Sequence, residues 1–224
     1  MTDLSNPWLE LPGSAPYVLP ADRPYLAAFE QGGVNKRFKV DLNLLPEPFI
    51  GRRDSDVVIL GLNPGIGAGD AANNRREPFR RRLFACLHHG QMAFPFHHLD
   101  PEENGPGSRW WRRVAGPLLA TTDREVLARN LLCLEFFPYH SRSFGHVHLR
   151  LPSQDYTFQL LRDAMARGAV VIALRSMKIW TGAVPELAEY PNCFPVRVPR
   201  SPTISEGQCG KGFSAAMERI RGWT

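Results

Sequence analysis

The stretch VVILGLNPGIG, residues 57–67, decides the fold of this chain. An uninterrupted apolar run such as Val57–Leu60 is typical of a strand that is buried on both faces of a parallel sheet. The run breaks at once into a Gly-Pro-Gly turn, which places Asn63 at the carboxyl end of the strand. Open α/β sheets bind their ligands at that edge. The turn therefore predicts a pocket lined by Gly61, Leu62, Asn63, Pro64, Gly65 and Ile66.

This turn fits neither of the common nucleotide-binding fingerprints. It lacks the Lys and the Ser or Thr of a phosphate-binding P-loop, and its glycines do not follow G-x-G-x-x-G. What remains is a rigid turn that presents one amide side chain, that of Asn63, to the pocket. Taken alone, Asn63 is better explained as a turn residue whose side chain caps a local backbone group.

Length and charge limit the possible classes of protein. The chain has 224 residues and a mass of 25.2 kDa, which suits one sizeable α/β domain. Its 27 Lys and Arg against 22 Asp and Glu give a net charge of +5, which favours anionic partners. Arginines and aromatic residues alternate between residues 75 and 113, a pattern used for phosphate contact and base stacking. Arg80 and Arg81 are candidates for DNA contact, and a solvated helix face is the alternative.

Cysteine and histidine spacing gives no sign of a metal or cofactor. The four cysteines are scattered without a C-x-x-C pair, which disfavours zinc and makes an iron-sulfur cluster improbable. The pairs His88-His89 and His97-His98 are adjacent, and neighbouring side chains are expected to diverge. No apolar run reaches the ~18 residues of a membrane span, and no secretion signal is recognisable. We expect a cytoplasmic monomer without metal, cofactor or membrane contact, with its thiols reduced.

The order of the elements predicts an α/β fold. The proline-rich residues 1–50 are expected to form an extended arm, with one short helix, packed on a single domain of residues 51–224. Apolar runs predict four strands, and apolar periodicity predicts helices between and after them. This order gives a three-layer α/β/α sandwich with a central, mainly parallel four-stranded sheet. The predicted strands are 57–62, 130–136, 169–174 and 194–198, and the predicted helices are 25–31, 77–89, 109–120, 154–167, 178–181 and 213–221.

Three segments follow predicted strand ends and should line one cleft: residues 61–67, 135–141 and 200–212. Together they resemble the uracil-DNA glycosylase superfamily. GLNPG at 61–65 is similar to the G-x-N-P-G motif of the mismatch-specific and single-strand-selective branches. LEFFP at 134–138 resembles the strand-then-proline segment of that superfamily. RSPTIS at 200–205 is similar to its second motif, a His- or Asn-led P-S-x-x-S loop.

The resemblance implies a protein that flips a base out of duplex or single-stranded DNA and hydrolyses its N-glycosidic bond. It also implies a monofunctional DNA repair glycosylase, near the nucleoid, that needs no metal or diffusible cofactor. In this interpretation Asn63 holds the attacking water. A neutral amide orients water but is a poor base, so most of the catalysis must come from stabilising the departing base.

Glu135 departs from the superfamily pattern, in which uracil readers usually carry asparagine. An ionised carboxylate repels uracil O4 but accepts a hydrogen bond from the N4 amino group of cytosine. A carboxyl group protonated through burial also donates to cytosine N3. We therefore predict that a modified or damaged cytosine, or another amino-bearing base, is preferred over uracil. The alternative is a structural ion pair of Glu135 with Arg129 or Arg142.

The remaining candidates surround these two residues. His140 either assists catalysis by polarising the base, contacts a phosphate, or is a hydrogen-bonded loop histidine. An aromatic lid for the flipped base is expected from Phe94, Phe96 or Tyr139. Arg200 replaces the histidine that leads the second motif and supplies a permanent positive charge. Backbone contacts to DNA are expected from Arg200, Ser201, Thr203, Ser205 and Lys211.

Two other classes of function stay open at this stage. The altered residues at 135 and 200 are also compatible with a nucleic-acid-binding protein that has lost catalysis. A small-molecule or nucleotide hydrolase would use the same cleft at the strand ends. The sequence does not identify the target base, the strand preference or the pathway.

Overall fold

A five-stranded sheet forms the centre of the protein, whose computed structural model describes residues 4–222. In spatial order the strands are β1, β3, β2, β4 and β5. β1 runs antiparallel to β3, and the other neighbouring pairs are parallel. The prediction of an α/β fold with a mainly parallel sheet is thus confirmed. The strands are β1 Phe49–Gly51, β2 Val57–Leu60, β3 Leu131–Leu134, β4 Val170–Ala173 and β5 Cys193–Pro195.

The prediction of four strands is wrong because β1 was assigned to the proline-rich arm. This strand has three residues and follows Pro46 and Pro48 closely, so its apolar signal is short. It pairs at the sheet edge, where Phe49 lies opposite Leu134. The predicted strands also extend too far towards the C-terminus. The strand predicted over 57–62, for example, ends at Leu60.

Helices fill the connections between strands. In residues 4–222 the α-helices are α1 Arg23–Gln31, α2 Asp70–Arg75, α3 Glu77–Leu87, α4 Pro106–Val114, α5 Gly116–Leu119, α6 Arg124–Asn130, α7 Gln154–Ala166, α8 Met177–Ala183, α9 Glu206–Cys209 and α10 Lys211–Arg221. Short 3₁₀ helices lie at Pro7–Glu10, Lys36–Phe38, His97–Leu99 and Pro185–Glu189. The single helix predicted over 109–120 is divided between α4 and α5, because Pro117 cannot donate a backbone hydrogen bond to the turn before it.

Alternate residues of the central strands belong to two separate apolar clusters, one on each face of the sheet. On one face, Val58 and Leu60 pack with residues of α3, α7 and α8. On the other face, Val57 and Ile59 pack with residues of α4, α6 and α10. Both faces are buried, which is why the sequence of β2 shows no polar alternation.

The N-terminal segment contributes to the first of these clusters. Trp8, Val18 and Leu19 are buried within it. The hydroxyl of Tyr139 accepts a hydrogen bond from the Leu19 backbone at 3.1 Å and donates one to Asp22 at 2.7 Å. These contacts tie Leu19 and Asp22 to the chain that follows β3. Among the described residues, no helix has the length and apolar character needed to cross a membrane.

Candidate active site

A cavity of about 370 Å³ opens at the carboxyl ends of β2, β3 and β4. The turn after β2 and the segment after β3 form two of its walls, as the sequence predicted. The loop after β4 contributes a third wall through Leu174 and Arg175, and α4 closes another side. Lining residues that carry polar or aromatic side chains include Glu47, Asn63, Asn73, Phe79, His98, Trp110, Trp111, Glu135, His140, Ser141, Arg142, Phe144 and Arg175.

Asn63 is half-buried on the wall of this cavity, and its amide has a fixed orientation. The side-chain nitrogen donates to the backbone oxygen of Pro64 at 2.9 Å and to Ser141 Oγ at 3.0 Å. Ser141 Oγ in turn donates to the Ser143 carbonyl, so it is available to accept from Asn63. No described residue donates to Asn63 Oδ1. An amide oxygen held in this way can accept a hydrogen bond from water.

Gly61 is required where the turn after β2 meets Glu135. A Cβ atom on Gly61 would lie 2.2 Å from Glu135 Oε2, which is closer than any real contact. The carbonyl of Gly61 accepts a hydrogen bond from Trp180 Nε1 at 2.8 Å, and this contact fixes the turn. Only glycine therefore permits the carboxyl group to occupy its position against the β2 turn.

Glu135 is only 8% exposed, and its carboxyl group forms few hydrogen bonds. Its Oε2 atom is buried and has no partner among the described residues, while Oε1 lies 3.8 Å from the thiol of Cys133. Burial and then the negative charge of Glu47 raise the pKa of Glu135 to about 8, against the effect of Arg175. At neutral pH the group is therefore a neutral acid with one donor and one acceptor.

The predicted ion pair of Glu135 with Arg129 or Arg142 is not formed. Arg129 pairs instead with Glu125 on the same helix. Arg142 is exposed on the cavity rim, and no ion pair links it to any residue in 4–222. Neither arginine therefore forms an ion pair that would oppose the rise in the pKa of Glu135 caused by burial.

Both ring nitrogens of His140 are occupied by backbone carbonyl groups. Nδ1 lies 2.8 Å from the Gly65 oxygen, and Nε2 lies 3.0 Å from the Leu45 oxygen. The ring therefore joins the segment after β3 to the β2 turn and to the segment before β1. The geometry supports the hydrogen-bonded loop histidine rather than a residue that polarises a base, although His140 does line the cavity.

Glu47 is a second buried carboxyl group on the cavity wall, and the sequence analysis missed it. His98 Nε2 donates to Glu47 Oε2 at 3.0 Å, and His140 Nε2 lies 3.7 Å from Oε1. Burial opposes ionisation of Glu47, but the charge and hydrogen bond of His98 and the charge of His140 prevail and lower its pKa to about 2. One cavity thus holds an ionised and a neutral carboxyl group, an arrangement common where acid and base roles are divided.

Glu47 also takes part in the one cluster of the described chain that has the donor atoms for a metal ion. Glu47, His97 and His98 each offer one ligand atom, and these atoms lie within 4.8 Å of one another. The rings of His97 and His98 do not diverge as expected, since their centroids are 4.4 Å apart. Sequence spacing could not reveal the cluster because Glu47 lies far away in the chain.

The aromatic wall of the cavity differs from the predicted lid. Phe96 is fully buried against Trp111, Phe94 packs on the second apolar cluster, and Tyr139 is held by Asp22, so none of them lines the cavity. A half-buried indole, that of Trp110, takes this position beside Trp111. An aromatic residue in a predicted loop can belong to the core, and its sequence pattern does not distinguish the two cases.

Two arginines at the cavity, Arg142 and Arg175, form neither ion pairs nor hydrogen bonds with other residues in 4–222. The predicted DNA contacts lie elsewhere. Arg80 is bound to the Tyr17 hydroxyl and the Gly13 carbonyl, and Arg81 is exposed on α3. The following predicted site residues do not line the cavity: Ile66, Arg80, Arg81, Arg200, Ser201, Thr203, Ser205 and Lys211.

The third predicted loop, residues 200–212, is absent from the cavity because of the strand order. This loop follows β5, which is the outermost strand, whereas β4 lies directly beside β2. Its backbone instead packs against α4, where the Ile204 nitrogen donates to the Val114 oxygen at 2.8 Å. The loop after β4 therefore lines the cavity in its place.

Comparisons with known proteins found no significant match. No protein-family model matches it. No curated protein matches it significantly. No solved structure matches it significantly either. The arguments on function therefore depend on the cavity and its side chains.

Replacing Gly61 by alanine tests the contact between the β2 turn and Glu135. The added methyl group should displace the buried carboxyl and lower the free energy of unfolding by about 1–3 kcal/mol, as overpacking does. Gly65→Ala, in the same turn, is the matched control, since a Cβ atom there meets nothing within 4 Å. Urea denaturation measures both. Equal stability of the two variants would contradict the contact.

Proposed function

We propose that this protein is a DNA glycosylase-like hydrolase, similar to the uracil-DNA glycosylase superfamily, that accepts one extruded base in the cavity and hydrolyses its N-glycosidic bond. One observation carries the proposal: the buried Glu135 Oε2 has no hydrogen-bond partner in residues 4–222, and it lines the same cavity as Asn63, which comes from a separate loop. Buried polar atoms are nearly always paired, so unpaired oxygens at a cavity favour a bound ligand.

The size and walls of the cavity support this proposal. Its volume of about 370 Å³ falls within the range of roughly 300–1,000 Å³ that is usual for small-molecule pockets. Trp110 and Phe144, both half-buried, offer apolar faces on which a flipped base can stack. Arg142 and Arg175 at the cavity suit the phosphates on either side of that base. A three-layer α/β/α arrangement and association with the nucleoid belong to the same proposal.

The proposed mechanism divides the reaction between two side chains. Asn63 Oδ1 accepts a hydrogen bond from water and directs the water oxygen at C1′ of the sugar. As the C1′–N bond breaks, its electron pair leaves with the base, and the neutral Glu135 donates its proton to the base. The water oxygen bonds to C1′, and the proton that it releases restores the neutral acid. Asn63 need not act as a base in this scheme.

The carboxyl group of Glu135 can pair with an amino-bearing base in either of its protonation states. A neutral carboxyl group donates one hydrogen bond and accepts one, and cytosine presents N3 as an acceptor beside its N4 amino donor. Uracil, with N3–H as donor and O4 as acceptor, also fits the neutral group, but the ionised form accepts from cytosine N4 and repels uracil O4. We therefore propose a modified or damaged cytosine, or another amino-bearing base, as the substrate.

An oligonucleotide panel tests the proposal. Duplex and single-stranded DNA carrying modified cytosines, uracil or mismatches is incubated with the protein and then heated in alkali, which breaks the strand at abasic sites. We expect scission at amino-bearing bases, faster where the base is mispaired, since flipping then needs less energy. Salt-sensitive DNA binding without scission at any base would indicate a non-catalytic binding protein. Absence of DNA binding at moderate salt would favour a small-molecule hydrolase.

A further inference from the structure

His97 is a buried residue whose chemistry the proposed glycosylase reaction does not use. Its side chain is fully buried, and neither ring nitrogen has a hydrogen-bond partner among residues 4–222. An imidazole ring has two polar nitrogens, and buried polar atoms are rarely left without partners. Leaving such an atom unpaired destabilises the folded protein. Packing alone therefore does not explain why a histidine occupies this buried position.

The surroundings of His97 supply two further donors. Its ring centroid is 4.4 Å from that of His98, and the carboxylate of Glu47 accepts from His98 Nε2 at 3.0 Å. All three side chains are buried, and their ligand atoms lie within 4.8 Å of one another. An ordinary hydrogen-bond network would account for Glu47 and His98, but it leaves His97 without a role.

The neighbourhood of His98 orients the ring. Ser108 Oγ lies 3.4 Å from His98 Nδ1, which leaves Nε2 directed at Glu47. A Cβ atom on Gly107 would lie 2.5 Å from His98 Cε1, so glycine is needed for the ring to lie where it does. Metal-binding histidines commonly have such a second contact, which sets the ring orientation and the available nitrogen.

We propose that Glu47, His97 and His98 bind one divalent transition-metal ion, with zinc as the best fit. Two imidazoles and one carboxylate form a known donor set for zinc, whereas magnesium and calcium prefer oxygen donors alone. Ligand atoms of a tetrahedral zinc site lie about 3.4 Å apart. Side-chain movements of about 1 Å bring the three ligand atoms of this cluster to that separation. Glu47 and His98 line the cavity, so the proposed metal site adjoins it.

Zinc titration of the EDTA-treated protein tests this site without any DNA. Competition with a chromophoric chelator should show one zinc ion per chain in the wild type. His97→Phe keeps an aromatic ring beside Phe79 and should weaken zinc binding at least 100-fold, as should Glu47→Gln. Ser108→Ala removes only the outer contact of His98 and should weaken binding about 10-fold. His88→Gln, a change at an exposed histidine, is the matched control and should bind as the wild type does.

Two results would overturn the site: no one-to-one zinc complex in the wild type, or unchanged affinity in His97→Phe. Circular dichroism establishes that each variant is folded. Where a variant does not fold, X-ray absorption of the zinc-loaded wild type decides, and we expect two imidazole nitrogens and carboxylate oxygen around the metal. Thiolate sulfur, or oxygen donors alone, would reject the site. The glycosylase proposal is tested separately, by strand scission.

Discussion

Asn63→Ala should lower the rate of base release roughly 100-fold or more while leaving the affinity for DNA nearly unchanged. The side-chain amide oxygen of Asn63 has no hydrogen-bond partner in the described chain, and water is the ligand that we assign to it. Misplacing a reacting group by about 1 Å can cost a factor of 100 in rate. Binding should persist because phosphate and stacking contacts supply most of the affinity for DNA.

Single-turnover strand scission and fluorescence anisotropy separate these two effects. Ser141→Ala removes the hydroxyl that accepts from Asn63 Nδ2 at 3.0 Å, so the amide loses part of its orientation. We expect this variant to fall between Asn63→Ala and the wild type. Asn43→Ala, a change at an exposed asparagine outside the cavity, is the control. Equal loss of binding and cleavage in Asn63→Ala would assign Asn63 a structural role instead.

The parts of the fold that the sequence predicted are those with long, continuous apolar runs. β2, β3 and β4 are buried on both faces, so Val57–Leu60 and its counterparts are apolar at every position. β1 and β5 have three residues each, lie at the two edges of the sheet and contain or adjoin proline. A strand of three residues is too short to show a periodic pattern of apolar residues. The sheet was therefore predicted at its centre and missed or displaced at its edges.

The residues of the candidate site divide in the same way. The local sequence predicts the position of some, and the position of the others depends on long-range contacts. Asn63 and Glu135 each follow a buried central strand closely, and this position alone predicted that they meet in one cavity. The pairing of β4 with β2 depends on long-range contacts, so the contribution of Arg175 was not visible. Glu47 reaches the cavity from a proline-flanked segment that shows no motif. Burial of Phe96 and Tyr139 likewise depends on which segments pack over them.

Glu135→Gln should stabilise the protein and inactivate it, and the gain in stability should grow with pH. Burial raises the pKa of Glu135 to about 8, from a usual value of 4.5. Between pH 4.5 and pH 8 the Glu135 carboxyl group is ionised in the unfolded chain and protonated in the folded chain. The stability of the wild type therefore falls as pH rises over this range. Glutamine carries no such proton. The difference in unfolding free energy should therefore increase by about 3 kcal/mol from pH 4.5 to pH 7 and level off above pH 8.

The same substitution separates base binding from proton donation. Glutamine keeps one donor and one acceptor toward the base, so binding should persist, but it has no proton to give, and base release should fall about 100-fold or more. In the wild type the rate should fall as pH rises through about 8. Urea denaturation from about pH 4.5 to about pH 9 measures the stabilities. The protein is treated with EDTA because a cation at Glu47 would cancel its repulsion of Glu135. Glu30→Gln, on the exposed face of α1, is the control. A stability difference that does not change with pH would show that Glu135 is ionised in the folded protein, and its role as the proton donor to the leaving base would then lose its basis.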